Sequence, residues 1–456
     1  MLNKKILLVF FFAFLIRLIV LNQSLWLDEA VTANVVKNFS FLNIITKFSP
    51  TDFHPPLYYL FMKLWTNLFG YSEVALRFPS IIFSLLTGYF IYKITSLLHG
   101  SIVKLWSVVF FLFNPLIVYY SQEARMYMMA TFLLTISLYY LIKMLLNQKS
   151  KIKSQKLDVL FFGISIFFAF WTFYGSVFLI VTMLLYLLFK KQYKSLFVSC
   201  CLFLVSLVLI SPLLYQQLIN SKIALSNVTN WSLVLGKANI KNLLLIPIKF
   251  SIGRISFHPK WLYWGIAGVW TGFVLFTIKT VLNKTVFIKT VFYLLIFPLI
   301  LGFLVSFFTP MLQYFRFLYL IPIVCVLLGF GLSGQAKFNL RGYVLAGGFL
   351  MFSLMYLLLP QFHREDWKSL VSNLPKNKPV YMITASSDPV KYYNNNLNIK
   401  ELRIVDYELN EKQITVIPYT ADIYGYDYKK ELKEKSYVLN KTTTFRELFF
   451  EEWRKP

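Results

Sequence analysis

The feature that most constrains this chain is a series of apolar runs, each of about 20 residues, recurring from Ile6 to Leu359. Hydrocarbon offers no partner to backbone N–H and C=O groups, so such runs must cross it as helices. Spans are expected at Ile6–Leu21, Val74–Leu97, Ile102–Tyr119, Met126–Leu146, Leu157–Tyr174, Val177–Phe189, Leu196–Leu214, Trp261–Ile278, Val291–Phe308, Phe317–Leu332 and Tyr343–Leu359. The composition agrees: 57% of residues are hydrophobic and the mean hydropathy is +0.61, above the soluble range. The basic start MLNKK precedes no small-x-small cleavage site, so the first run reads as a retained span. Cys200, Cys201 and Cys325 all lie inside apolar runs and offer neither a disulfide framework nor metal-ligand spacing.

Lys and Arg total 46 against 20 Asp and Glu. In a soluble protein that excess would suggest nucleic acid, but here the basic residues sit mostly in short loops between spans, where membrane orientation explains them. Lys4, Lys5, Lys149, Lys151, Lys153, Lys156, Lys190, Lys191, Lys194, Lys279, Lys284, Lys289, Lys337 and Arg341 fall on one side of the map, the expected cytoplasmic side. The N-terminus is then cytoplasmic in a multi-pass plasma-membrane protein. The opposite, external side carries the first loop (22–73), the YSQEAR turn, a basic loop (215–260), the turn around Arg316 and the C-terminal domain. Residues 1–360 form the membrane domain and 361–456 a soluble α/β domain, with PVYMITA a buried strand and DPVKYYNNN a helix start.

Of the 20 carboxylates, 14 belong to residues 361–456. The remaining six are Asp28, Glu29, Asp52, Glu73, Glu123 and Asp158, and all but Asp158 flank the external ends of spans. A carboxylate at the hydrocarbon edge is costly unless it is paired or used. Asp28 and Glu29 open an amphipathic helix, so Asp28 as its cap is one reading and a catalytic carboxylate is another. Neighbouring helical residues point about 100° apart, which lets one face a site while the other steadies the fold. In SPTDFHPPLYYLF the two prolines predict a turn that opens a helix. Asp52 there is either a cap or a substrate ligand beside His54 and Tyr58. A divalent cation on Asp28, Asp52 and His54 is a further option. Arg77 and Arg125 either form local pairs with Glu73 and Glu123 or, as guanidinium groups at headgroup depth, grip a phosphate. Loop 215–260 holds Lys249, Arg254 and four lysines with no acidic residue, and Arg316 adds a cation at another external mouth. Asp366, in REDW, is expected to cap the helix that follows.

A carboxylate near membrane-level cations suits transfer from a phosphate leaving group. One base takes the acceptor's proton while cations steady the departing anion. There is no phosphate-cradling glycine loop and no Asp-x-Asp pair for a metal–nucleotide, so an activated group carried on a lipid is the natural donor. A transporter or flippase is the alternative, but it would place charges near the bilayer midplane on broken helices.

The ordered set LDEA, HPPLYYLF, LRFPSIIFSLLT, SQEARMYMM, RFLYLIPI and HREDWKSL, from Leu25 to Leu370, resembles the bacterial GT-C glycosyltransferases. It is similar in particular to the branch holding the protein O-mannosyltransferases and the lipid A aminoarabinose transferase. The resemblance implies a mainly α, polytopic GT-C fold and a polyprenyl-phosphate-linked sugar donor. It also implies inversion at the anomeric carbon and a glycan, lipid or protein acceptor. The family's catalytic acid carries over onto Asp28, with Glu29 beside it. Donor-phosphate contacts are expected from Arg77, Arg125, Lys249, Arg254 and Arg316, and substrate contacts from Asp52, His54, Tyr58 and Glu123. One departure stands out: relatives carry a carboxylate directly before the two prolines, whereas this chain has Asp52-Phe53-His54-Pro55-Pro56.

Overall fold

The computed structural model describes residues 4–98, 101–146, 152–281, 286–333, 339–375, 378–403, 409 and 411–456. Every expected apolar run lies on helix: Lys4–Leu18, Glu73–Leu98, Ser101–Leu112 with Pro115–Tyr120, Tyr127–Leu146, Ile152–Thr172, Val177–Phe189, Tyr193–Asn227, Lys260–Lys279, Val286–Val305, the Tyr314–Leu320 turn with Ile321–Gly331, and Leu340–Leu358. Among the described residues, seven of these helices are long and apolar enough to cross a membrane. Phe197, Leu204, Val208 and Leu209 stay exposed on the Tyr193–Asn227 helix, an apolar strip that suits lipid. Lys149, Lys151, Lys284 and Lys337, used above for orientation, lie outside the described residues.

Two boundaries differ from expectation for local reasons. The third run breaks because the Asn114 side chain caps Leu116 and Ile117 and Pro115 opens a new helix. The Tyr193–Asn227 helix runs well past Leu214, so the basic segment 215–260 begins inside a helix and contains another, Ile240–Ile252. A single turn of 3₁₀ helix, Tyr174–Ser176, joins the fifth and sixth runs.

The first loop folds into Leu27–Asn38, a short Phe41–Phe48 segment and Leu57–Phe69. Leu42, Leu64 and Leu68 are exposed there, as befits helices lying in a membrane interface. Gln217, near the end of the long helix, donates to the carbonyls of Ser49 and His54, and Asn220 donates to that of Pro50. The turn before the two prolines is thereby pinned to the helical bundle.

Beyond Leu358 the chain forms a five-stranded mixed sheet. The strands are β1 (Val380–Met382), β2 (Ile399–Glu401), β3 (Gln413–Val416), β4 (Val438–Phe445) and β5 (Leu448–Arg454). β1 pairs parallel with β2 and β3, and β5 pairs antiparallel with β3 and β4. Alternate side chains feed two cores. Tyr381, Ile414 and Trp453 pack with Leu432 on one face, and Val380, Met382 and Phe450 pack with Trp367 and Leu370 on the other. Both faces of β1 are covered, which is why PVYMITA reads as a continuous apolar run. Asp366 caps Trp367–Ser372 through the backbone N–H of Ser369, as the sequence suggests.

This unit docks on the first loop. The Asp388–Tyr393 helix packs on Leu27–Asn38. The Asn34 amide donates to the carboxylate of Asp388 at 2.8 Å, and the Tyr393 hydroxyl accepts from the backbone N–H of Leu25 at 2.9 Å. Removing the Asn34 amide should loosen the docking. Asn34→Ala is expected to speed proteolytic release of the C-terminal unit roughly tenfold, the size of one charge-assisted hydrogen bond; an unchanged cleavage rate would show that the contact does not hold the two parts together.

Candidate active site

The Leu27–Asn38 helix is capped by Trp26 without a side-chain hydrogen bond, so Asp28 sits in the first turn and is not the cap. Glu29, the next residue, is fully buried and forms a forked ion pair with Arg77 of the Glu73–Leu98 helix. Arg77 Nε reaches Glu29 Oε1 at 2.9 Å and Nη2 reaches Oε2 at 2.6 Å. Its other bonds go to the carbonyls of Leu21, Gln23 and Ser24. All five guanidinium N–H groups are thus engaged, which leaves none for a donor phosphate. Glu29 also accepts from the backbone N–H of Ala124 at 2.8 Å, so this buried pair ties the first span's exit to the YSQEAR turn. Glu29 and Arg77, expected at the site as a catalytic and a phosphate-binding residue, are placed here as a mutually saturated buried pair at the first span's exit.

Asp28 points the other way. Its side chain is 37% exposed, and its Oδ2 lies 3.4 Å from Nη2 of the buried Arg125. Arg125 Nε and the buried Tyr58 hydroxyl have no partner, while the Tyr59 hydroxyl lies beside the Asp52 carboxylate. Asp52 accepts from His54 Nδ1 at 3.3 Å when that nitrogen carries the proton. Burial would raise the Asp52 carboxyl, but His54 and then Arg125 outweigh it and hold the group below its ordinary value, so it stays ionised. The sequence left Asp52 as a possible cap, yet Pro56 occupies the cap position of Leu57–Phe69. Among the described residues no three His, Cys, Asp or Glu side chains assemble as a metal cluster. Asp28 faces an arginine and Asp52 faces His54, so the three candidate ligands do not fit a shared cation.

The segment Tyr119–Tyr127 is the hub. Tyr119, Tyr120 and Tyr127 form an edge-to-face wall with centroids 5.0 and 5.3 Å apart, and Phe315 packs on Tyr127. Arg254 lies over the Tyr119 ring at 4.9 Å and donates to its hydroxyl. Gly253 makes that placement possible. Its φ of +76° suits glycine, and a Cβ there would come within 2.9 Å of Pro115. Lys249 donates to the Tyr263 hydroxyl and the Ile255 carbonyl, leaving its third N–H available. Neither Lys249, Arg254 nor Arg316 has a carboxylate partner among the described residues.

The local ion pairs considered for Glu73 and Glu123 give way to long-range ones. Glu123 pairs with Arg364 at 2.9 Å and Glu73 with Lys368 at 3.2 Å, both crossing to the C-terminal unit. Glu123 is buried, with Oε2 unpartnered. Arg364 escaped the sequence reading, which took HREDWKSL as one of the family-like motifs and Asp366 within it as a helix cap. Its guanidinium stacks 3.7 Å over the Trp26 ring and 5.6 Å from the Tyr119 centroid. A basic residue directly after the last span was the signal that could have found it.

Splitting Glu29 from Arg77 should destabilise the whole bundle. Arg77→Ala is expected to cost about 3 to 5 kcal/mol, because it strands a buried carboxylate, whereas Asp28→Asn, which removes a partly exposed partner of Arg125, should cost about 1 kcal/mol or less. Thermal unfolding in detergent compares the two, and equal losses would refute the division of labour between these neighbours.

Comparison with known proteins gives the wider context. Residues 53–216 match the family of dolichyl-phosphate-mannose-protein mannosyltransferases. ArnT from Cupriavidus metallidurans bound to undecaprenyl phosphate superposes with a TM-score of 0.64 at 10% identity, over 98% of this chain and 97% of that one. The archaeal oligosaccharyltransferase AglB from Archaeoglobus fulgidus, in complex with an inhibitory peptide and a dolichol-phosphate, gives 0.51 at 12% identity, over 98% and 74%. No curated protein matches the sequence. The chain is a polytopic membrane protein of GT-C fold, related through residues 53–216 to the dolichyl-phosphate-mannose-protein mannosyltransferases and sharing its architecture with ArnT.

Proposed function

We propose that this protein is a membrane glycosyltransferase that moves a sugar from a polyprenyl-phosphate donor to a hydroxyl acceptor at the external face, with inversion and with Asp28 as general base. The observation that carries the reading is the contrast at the first loop. Of two adjacent carboxylates, Glu29 is consumed by Arg77, while Asp28 stays 37% exposed, with Arg125 3.4 Å away. The matched mannosyltransferase family and the undecaprenyl phosphate held by ArnT support the class of donor.

In this reading the acceptor oxygen attacks the anomeric carbon from the side opposite the phosphate. The new C–O bond forms as the carbon–phosphate-oxygen bond breaks, and the acceptor's proton passes to Asp28. The phosphate leaves with the bonding pair as a stable anion, so no general acid is needed. Arg254, Lys249 and Arg316 answer its charge, and Arg125 holds Asp28 in place. Asp52, His54 and Tyr58 are polar groups suited to the sugar's hydroxyls, and the buried Tyr58 hydroxyl lacks a partner in the protein. The same reading sets the N-terminus in the cytoplasm and the C-terminal unit outside.

Two outcomes are expected. Asp28→Asn should fold in the membrane yet lose at least about a thousandfold in transfer from polyprenyl-phosphate sugar, as expected when a general base is removed; parent-level turnover would exclude Asp28 as the base. Burial, then Arg254 and Lys260, lower the Lys249 ammonium to about 8. Lys249 is therefore cationic below that pH and neutral above it, so kcat/KM for the donor should fall as pH rises through about 8. Lys249→Arg, always charged, should push that limb upward, and an unmoved limb would remove Lys249 from donor binding.

A further inference from the structure

The C-terminal unit, with Asn230 just beyond the end of the long helix, forms an open cleft of about 710 Å³, lined by Asn230, Tyr419, Asp422, Tyr426, Glu447 and Phe449 among others. Its volume falls in the range of small-ligand sites. Two hydrogen bonds hold its walls together: the backbone N–H of Asn230 donates to the Ile423 carbonyl at 3.0 Å, and the Asn230 amide donates to the Asp422 carbonyl at 2.9 Å. The cleft is therefore built jointly by the membrane part and the C-terminal unit. Its lining pairs aromatic rings with carboxylates. Phe449 is exposed, Tyr419 and Tyr426 are half-buried, and the side chains of Asp422 and Glu447 are exposed. Glu447 sits at φ +58° in the turn between β4 and β5, an unusual backbone for a non-glycine residue, which sets it at the cleft wall.

Tyr419 is the lining residue that ties the cleft to the surroundings of Asp28. The Tyr419 hydroxyl donates to Glu365 Oε1 at 3.2 Å, while Glu365 Oε2 is buried and unpartnered. Glu365 adjoins Arg364, which stacks on Trp26, two residues before Asp28. Tyr419 lies close enough to Asp28 to feel its charge.

We infer that this cleft binds the acceptor and that the acceptor is a neutral glycan, which rests on the glycosyltransferase reading above. Carboxylates accept hydrogen bonds from sugar hydroxyls, and aromatic faces, being electron-rich, suit the polarised C–H face of a pyranose ring. The same carboxylates repel phosphorylated or otherwise anionic acceptors. Lys429, the cation in the lining, is held by Glu451 at 3.2 Å.

The test uses the full chain in nanodiscs, carrying Asp28→Asn so that no turnover confuses binding. The probe is the neutral oligosaccharide pool released by mild acid from the surface polysaccharide of the source cells, with lipid and protein fractions of the same cells offered separately. Native mass spectrometry should show oligosaccharide bound. Adding Asp422→Asn and Phe449→Ala should weaken that binding by about tenfold or more, the scale of a lost charged hydrogen bond, with polyprenyl phosphate binding unchanged. Both side chains are exposed, and an unaltered unfolding temperature checks that the fold is kept. Undiminished binding in the cleft variant overturns the inference, as does binding confined to the lipid or protein fraction. Failure of the two readings is distinguishable. Intact, cleft-dependent glycan binding in a protein with no transferase activity sinks the enzyme reading alone, and active transfer untouched by the cleft variants sinks the cleft alone.

Discussion

A single buried ion pair organises everything around the candidate site. Arg77 spends all five of its donors on Glu29 and on three carbonyls at the exit of the first span. Burying two charges is justified only when geometry is forked and complete, and this one is. Because Glu29 also binds the backbone of Ala124, the first loop and the YSQEAR turn cannot move independently. Asp28 inherits its position from that anchoring: adjacent on the helix, it projects about 100° away and stays accessible beside Arg125. The pair thus converts a flexible exit from the membrane into a fixed platform for one carboxylate.

A second theme is the imbalance of charge on the wall formed by Tyr119, Tyr120 and Tyr127. Arg254, Lys249 and Arg316 have no acidic partners among the described residues, and the rings of Tyr119 and Tyr263 supply part of the missing compensation for Arg254 and Lys249. Folding alone would favour pairing such groups. Leaving them unpaired keeps a net positive field around these side chains. The C-terminal unit reaches this wall through Arg364 and is tied to the start of the Glu73–Leu98 helix through Lys368.

Much of this was legible before any coordinates. The eleven apolar runs, the buried strand at Val380–Met382, the cap at Asp366 and the helix opened by Pro55 and Pro56 all follow from local rules that tertiary context did not override. The acidic residues flanking the spans were equally visible, because six carboxylates among 360 mostly apolar residues stand out. Their partners were not visible. Local spacing joined Glu73 to Arg77 and Glu123 to Arg125, yet a buried arginine takes whichever carboxylate completes its fork, and for Arg77 that residue lies 48 positions away.

The sequence by itself determined that the chain is a helical membrane protein with a small mixed α/β unit and a carboxylate pair at the first exit, since period, length and charge are properties of short windows. Only the tertiary structure decided which carboxylate is structural and which is open, that Arg364 and Trp26 join the site, and that a cleft forms between the two parts. Those depend on contacts between residues tens to hundreds of positions apart, and the energetic preference among such contacts is settled by burial and fork geometry that no linear spacing encodes.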